Sequence, residues 1–282
     1  MQMPFQDTQL NWAFSIAQHR TEILNAFFLF LNLFDTPYFF ILLIPMIWLG
    51  VSRTWGIRIY YLMLLSAALN SALKSMVGWP RPGHLCSSLG MLTWSGGGFP
   101  SGAAQTTMML AVFLVYYWKG KKRWWIAGSY VTLISFSRLY LGAHFPLDLA
   151  GGWLIGGALA AAWIFLQKPI EVFLCAKTPL QRLAIALVLP LVFLYCEGGR
   201  ALALYGWGVF GIGIGVYVSH RYRLILPDPK TTSEAIKRAV FAALGIVFLL
   251  MLGYPLAAPG LSLIAAFWTT VLAALLYRRC FL

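Results

Sequence analysis

Nine apolar stretches, near residues 37–52, 57–77, 102–118, 125–143, 146–166, 181–196, 201–219, 238–254 and 261–277, constrain this chain more than any other feature. A helix that crosses a bilayer needs about 20 mostly apolar residues, somewhat fewer where its ends are anchored. Composition agrees, since 60% of the 282 residues are hydrophobic and only 10% are charged. A soluble domain could not hide that much apolar surface, whereas lipid solvates it. The expectation is an all-α, polytopic transmembrane helical bundle of about nine spans.

The formal charge of +13 does not point to nucleic acid, because the basic residues fall between apolar runs and not on one soluble face. The four cysteines, Cys86, Cys175, Cys196 and Cys280, are scattered without a CxxC pair, so neither a zinc site nor a disulfide framework is expected. The N-terminus has no basic segment followed by a compact apolar core and a cleavage site, and does not read as a signal peptide. Residues 10–34 carry apolar positions at helical spacing interrupted by Gln18, His19, Arg20 and Glu22, the pattern of an interfacial amphipathic helix.

If the first span runs from outside to inside, 16 of the 21 basic residues fall in inner loops, as the positive-inside rule requires. The five left over are Arg20, Lys74, Arg81, Arg138 and Arg200. Arg20 and Arg200 read as headgroup contacts. Lys74 and Arg138 lie in otherwise apolar helices, where an unpaired charge costs several kcal/mol and marks function.

Three segments would meet at the outer ends of spans two to five. KSMVGWPRP places Lys74 at a helix end and Arg81 before Pro82. GFPSGAAQ places Ser101 and Gly102 at a helix N-terminus, where free N–H groups and the positive dipole end suit an anion. SRLYLGAHFPLD closes one helix with Arg138 and opens the next with His144 and Asp148. The four-residue spacing of the last two lets a carboxylate fix the imidazole tautomer, which makes His144 a nucleophile or a base.

These three segments resemble the signature motifs of the type 2 phosphatidic acid phosphatase superfamily, which includes lipid phosphate, undecaprenyl-diphosphate and sphingosine-phosphate phosphatases and glucose-6-phosphatase. The resemblance covers roughly residues 10–166 and implies a six-helix phosphatase core. It divides the chain into an N-terminal interfacial region (1–36), a phosphatase membrane core (37–166) and additional C-terminal transmembrane helices (167–282). It further implies phosphoryl transfer without a metal or other cofactor. His144 would attack phosphorus and Asp148 would orient it. Lys74, Arg81 and Arg138 would surround the phosphoryl oxygens, with Ser101 and the Gly102 backbone completing the cradle.

The family pattern continues PSG with a histidine that protonates the leaving oxygen, and here Ala103 stands in that place. Loss of a general acid costs on the order of 10²–10⁴ in rate. Three readings of Ala103 stay open: an alanine introduced into an otherwise intact site, a reaction on a diphosphate whose leaving phosphate departs without proton help, or a protein that binds phosphorylated lipid without turnover. His84, in the loop after Arg81, is an alternative source of the proton. The implied substrate is a phosphorylated or diphosphorylated lipid, met by an inner-membrane protein whose site faces the periplasm or a lumen. A sugar-phosphate phosphatase and a lipid-phosphate-binding or transport protein are the competing functions, and nothing in the sequence speaks to oligomeric state.

Overall fold

A computed structural model describes residues 4–195, 199–252 and 258–281, and every regular element among them is helical. Cys196 and Glu197 lie outside the described residues, as does the side chain of Arg200. Where they are described, the nine apolar stretches lie mainly in helices, but among the described residues length and apolarity alone single out four candidate crossing segments: Arg53–Leu85, Pro146–Cys175, Thr232–Leu252 and Gly260–Phe281. Helix Gly102–Tyr117 is apolar but has only 16 residues. Helix Arg123–Tyr140 is less apolar and buries Ser135, Ser137 and Arg138. The chain is thus a multi-pass membrane protein.

Two compact units make up the fold, one from residues 1–36 and 66–166, the other from residues 37–65 and 167–282. The sequence-based division into 1–36, 37–166 and 167–282 follows motif resemblance, whereas these two units follow contacts and group 37–65 with 167–282. Helix α3 (Pro37–Gly50) packs along α11 (Thr232–Leu252), burying Trp48 and Leu49 in a cluster with Ala242, Ile246 and Trp268. The second unit also packs α10 (Gly199–Arg221) against α9 (Pro179–Tyr195) and α12 (Ala258–Phe267), and a π turn at Trp268–Leu272 leads into α13 (Ala273–Phe281).

The first unit is built on α1 (Gln6–Gln18), α2 (Glu22–Asn32), the latter part of α4 (Arg53–Val77), α6 (Gly102–Tyr117), α7 (Arg123–Tyr140) and the first part of α8 (Pro146–Cys175), with a single short turn of helix, α5, at Pro82–Leu85. The single amphipathic helix expected over residues 10–34 is two helices, α1 and α2. The chain turns at His19 and Arg20, and Thr21 caps α2 by accepting the Leu24 N–H at 3.4 Å. An oxygen-bearing side chain at this position satisfies a backbone donor that the first helical turn leaves open.

Packing of α2 on α7 accounts for Arg20. Its guanidinium donates to the carbonyls of Leu89 and Tyr140, each at 2.7 Å, and so closes the C-terminal end of α7 instead of reaching for headgroups. Phe28 stacks on Tyr140 with ring centroids 4.2 Å apart, and the Tyr140 hydroxyl donates to Asn25 at 2.8 Å. The N-terminal segment thus forms part of the first unit, with Trp12, Ile23 and Phe30 still exposed.

Candidate active site

All the cationic and catalytic candidates fall in the first unit. Each is positioned by a helix end. Lys74 lies in the last turn of α4, Arg138 in the last turn of α7, and Ser101 caps α6, accepting the Ala104 N–H at 3.4 Å. Gly142, at φ +67°, carries the chain from α7 toward α8. A β-carbon there would sit 1.8 Å from the Leu89 carbonyl oxygen, so only glycine makes the turn that presents His144.

His144 and Asp148 are 6% and 0% exposed. The Nε2 of His144 is 3.2 Å from an Arg81 guanidinium nitrogen. A guanidinium only donates, so Nε2 carries the lone pair and the proton belongs on Nδ1. Nδ1 lies 3.4 Å from Asp148 Oδ2, within electrostatic reach but without a hydrogen bond. Asp148 Oδ2 accepts the Phe145 N–H at 2.9 Å instead, and the Asp148 carbonyl accepts the Ser101 N–H at 2.9 Å, tying the second motif to the third. Burial, reinforced by the charges of Arg81, Lys74 and Arg138, holds the His144 pKa well below the usual imidazole value, against a smaller opposing pull from the Gly98 carbonyl. The imidazole is therefore neutral near pH 7, with its nucleophilic nitrogen turned toward a guanidinium.

The cations are held by backbone oxygens. Lys74 Nζ donates to the carbonyls of Gly97 and Gly98 at 2.7 and 3.2 Å. Arg81 engages all three guanidinium nitrogens, on the carbonyls of Gly96 (3.1 Å), Ala143 (3.0 Å) and Ser95 (3.3 Å) besides His144. Arg138, 2% exposed, donates to Asn32 Oδ1 at 2.6 Å, while its Nε and second terminal nitrogen are buried with no partner. Three cations, Arg81 and Arg138 buried and Lys74 partly so, thus outnumber the two nearby carboxylates, Asp148 and, beside Arg138, Asp35, an imbalance that an anion relieves.

Trp94 is a residue that sequence reasoning missed. The guanidinium carbons of Arg81 and Arg138 lie 5.7 and 5.6 Å from its ring centroid, so one indole steadies both cations. A tryptophan beside the glycine run just before PSG was the available signal. Asn70 was missed too. Its amide donates to the Pro100 carbonyl at 3.2 Å and to Gln105 Oε1 at 3.0 Å, bracing the turn that carries Ser101. One helical turn before Lys74, it shares that residue's face of α4.

Ala103 does not line an open cleft. It is 5% exposed and belongs to an apolar cluster with Phe28, Leu31, Ile134, Tyr140 and Leu141. His84, the alternative proton source, is anchored with Nε2 2.8 Å from the Trp94 carbonyl oxygen. Among the described residues no three His, Cys, Asp or Glu side chains gather as metal ligands.

The segment that carries all three motifs, residues 55–170, matches the family model of the PAP2 superfamily. Over that segment the chain is similar to the PAP2 superfamily. It is 29% identical over 143 residues to the lipid A 4'-phosphatase of Bacteroides thetaiotaomicron, a match covering 44% of this chain and 62% of that relative. It is also 29% identical over 161 residues to the undecaprenyl-diphosphatase of Sulfolobus acidocaldarius, covering 55% of this chain and 75% of the relative. Among solved structures, the crystal structure of Aquifex aeolicus LpxE superposes with a TM-score of 0.50 at 24% identity, covering 55% of this chain and 93% of that one, a likeness of fold. The PAP2 match begins after α1 and α2, although both helices pack into the unit that holds its motifs.

Proposed function

We propose that this protein is an integral-membrane phosphatase that removes or transfers a phosphoryl group from a phosphorylated or diphosphorylated lipid, through a phosphohistidine at His144. One observation carries the reading. Lys74, Arg81 and Arg138 converge, largely buried, on a neutral imidazole at the mouth of a helix N-terminus. The named activities of the two PAP2 relatives support it, both being phosphatases of lipid phosphates or diphosphates by name.

In the proposed reaction, Nε2 of His144 attacks phosphorus as the bond to the leaving oxygen breaks, and the electron pair departs on that oxygen. Arg81, already at Nε2, moves its hydrogen bond onto a phosphoryl oxygen. Lys74 and Arg138 stabilise the other oxygens, and backbone N–H groups at the start of α6 complete the cradle. Asp148 steadies the imidazolium character that develops at Nδ1. Water then attacks the phosphohistidine, the P–N bond breaks and phosphate leaves. Phosphoryl transfer is mostly positioning and charge stabilisation, so these cations can serve without a metal.

Ala103 bears on the choice of substrate. With apolar side chains around that position, no group on α6 protonates the leaving oxygen. A diphosphate, whose leaving group is a phosphate of low basicity, needs that proton least. A site at the membrane boundary lets the apolar tail stay in the bilayer while the headgroup enters the cradle.

The test is His144→Ala in detergent-solubilised protein, assayed on a polyprenyl diphosphate and a lipid monophosphate. Phosphate release should fall to background, and the acid-labile phosphoprotein formed by the unaltered chain should vanish. Undiminished release from this variant would sink the mechanism.

A further inference from the structure

The unpartnered edge of Arg138 leads to a residue outside the PAP2 match. Arg138 ends α7 with its guanidinium buried, yet only one of its three nitrogens makes a hydrogen bond to protein, the one donating to Asn32 Oδ1 at 2.6 Å. The other two, Nε and the second terminal nitrogen, form one edge of the guanidinium. Such an edge is a rigid fork of two parallel N–H groups that matches two oxygens of a phosphoryl group. Buried donors left without partners are costly, so an edge kept in this state points to a ligand.

We infer that Asn32 is a positioning residue for phosphoryl transfer, fixing the rotation of Arg138 so that its Nε edge faces the substrate phosphoryl group. Three features of α2 support this. Asn32 is its last residue, and Asn25, Phe28 and Asn32 follow the i, i+3, i+7 spacing that lines one helical face, the face turned to α7. That face is pinned at its other end by Arg20 on the Tyr140 carbonyl, which sets the height of Asn32 along α7. An amide oxygen, moreover, orients a guanidinium without neutralising it. Asp35, three residues on, supplies a negative charge that acts on Arg138 through space, and Tyr130 holds this corner by donating to the Phe34 carbonyl at 3.0 Å.

The inference rests on the phosphatase reading, and the experiment separates the two. Orthovanadate serves as the phosphoryl mimic, its binding measured by calorimetry on the full chain in detergent. Asn32→Leu, close to isosteric but without an acceptor, should weaken vanadate binding roughly 10- to 100-fold, the worth of a hydrogen bond to a charged group. Its thermal midpoint should stay near that of the unaltered protein. In an Arg138→Met background the same change should cost less than about twofold, because Asn32 acts only through Arg138. Asn32→Ala repeats the comparison if the leucine variant folds poorly.

Binding by the unaltered chain that Asn32→Leu leaves unchanged, or an equal loss in the Arg138→Met background, overturns the role of Asn32 alone. No vanadate binding by the unaltered chain brings down the phosphatase reading itself.

Discussion

At the scale of single residues, Ala103 has a different meaning in the structure from the one it has in the sequence. Read in the motif, it is a histidine position that lost its proton donor. In the fold it is buried and belongs to an apolar cluster with Phe28, Leu31, Ile134 and Tyr140, surroundings into which an added imidazole would have to be packed. Ala103→His should therefore destabilise the protein by about 1–3 kcal/mol, the usual cost of overpacking, and lower the thermal midpoint by several degrees. On its own it should not speed release from a lipid monophosphate. Paired with Leu31→Ala, which vacates volume in the same cluster, it should raise that rate above the rate of Ala103→His alone. If Ala103→His keeps its thermal midpoint and gains monophosphate turnover unaided, the apolar cluster is not what shapes the substrate preference.

Helix ends, and the turns between helices, do the positioning at the next scale. Four of the site residues sit in the first or last turn of α4, α6, α7 or α8, where backbone groups lack helical partners and side chains project past the axis. The turn from α7 to α8 is the most demanding of these, because Gly142 needs both a left-handed backbone and the space of a missing β-carbon. Gly142→Ala should cost more than the roughly 1–3 kcal/mol of backbone strain alone, since the Leu89 carbonyl must also move. The loss should appear both as a lower thermal midpoint and as a drop in phosphate release, because His144 is two residues on. Full activity with unchanged stability would show that the loop around Leu89 yields freely. At this scale too, α2 changes character, from a candidate surface helix to the support of Arg20, Tyr140 and Arg138 contacts.

For the molecule as a whole, the basic loops and the site belong to opposite ends of α6. The N-terminus of α6 lies in the site and its C-terminus leads to Lys119, Lys121 and Lys122. The positive-inside rule predicts a site that faces outside, an orientation that labelling tests. In a chain whose own cysteines are replaced by serine, Ser87→Cys should react with a membrane-impermeant maleimide on intact cells, and Lys121→Cys only after the membrane is opened. Both positions are exposed, so accessibility within the fold does not bias the comparison. The reverse labelling pattern would invert the orientation and place the substrate in the inner leaflet.

The helices and the charge pattern around the candidate site were legible in the sequence because each is written locally. Apolar runs near membrane length mark helices wherever they occur. The motifs set Lys74 seven residues before Arg81 and His144 four before Asp148, so side-chain type and spacing alone gather one charge pattern. The partnership of residues 37–65 with the C-terminal helices, the indole of Trp94 beside two guanidiniums, the sealing of Ala103 and the hold of Asn32 on Arg138 were decided by tertiary structure. Asn32 and Arg138 stand 106 residues apart, and such a contact leaves no period or motif in the chain. It exists only because α2 and α7 bury their facing sides against each other, and that packing is a property of the fold.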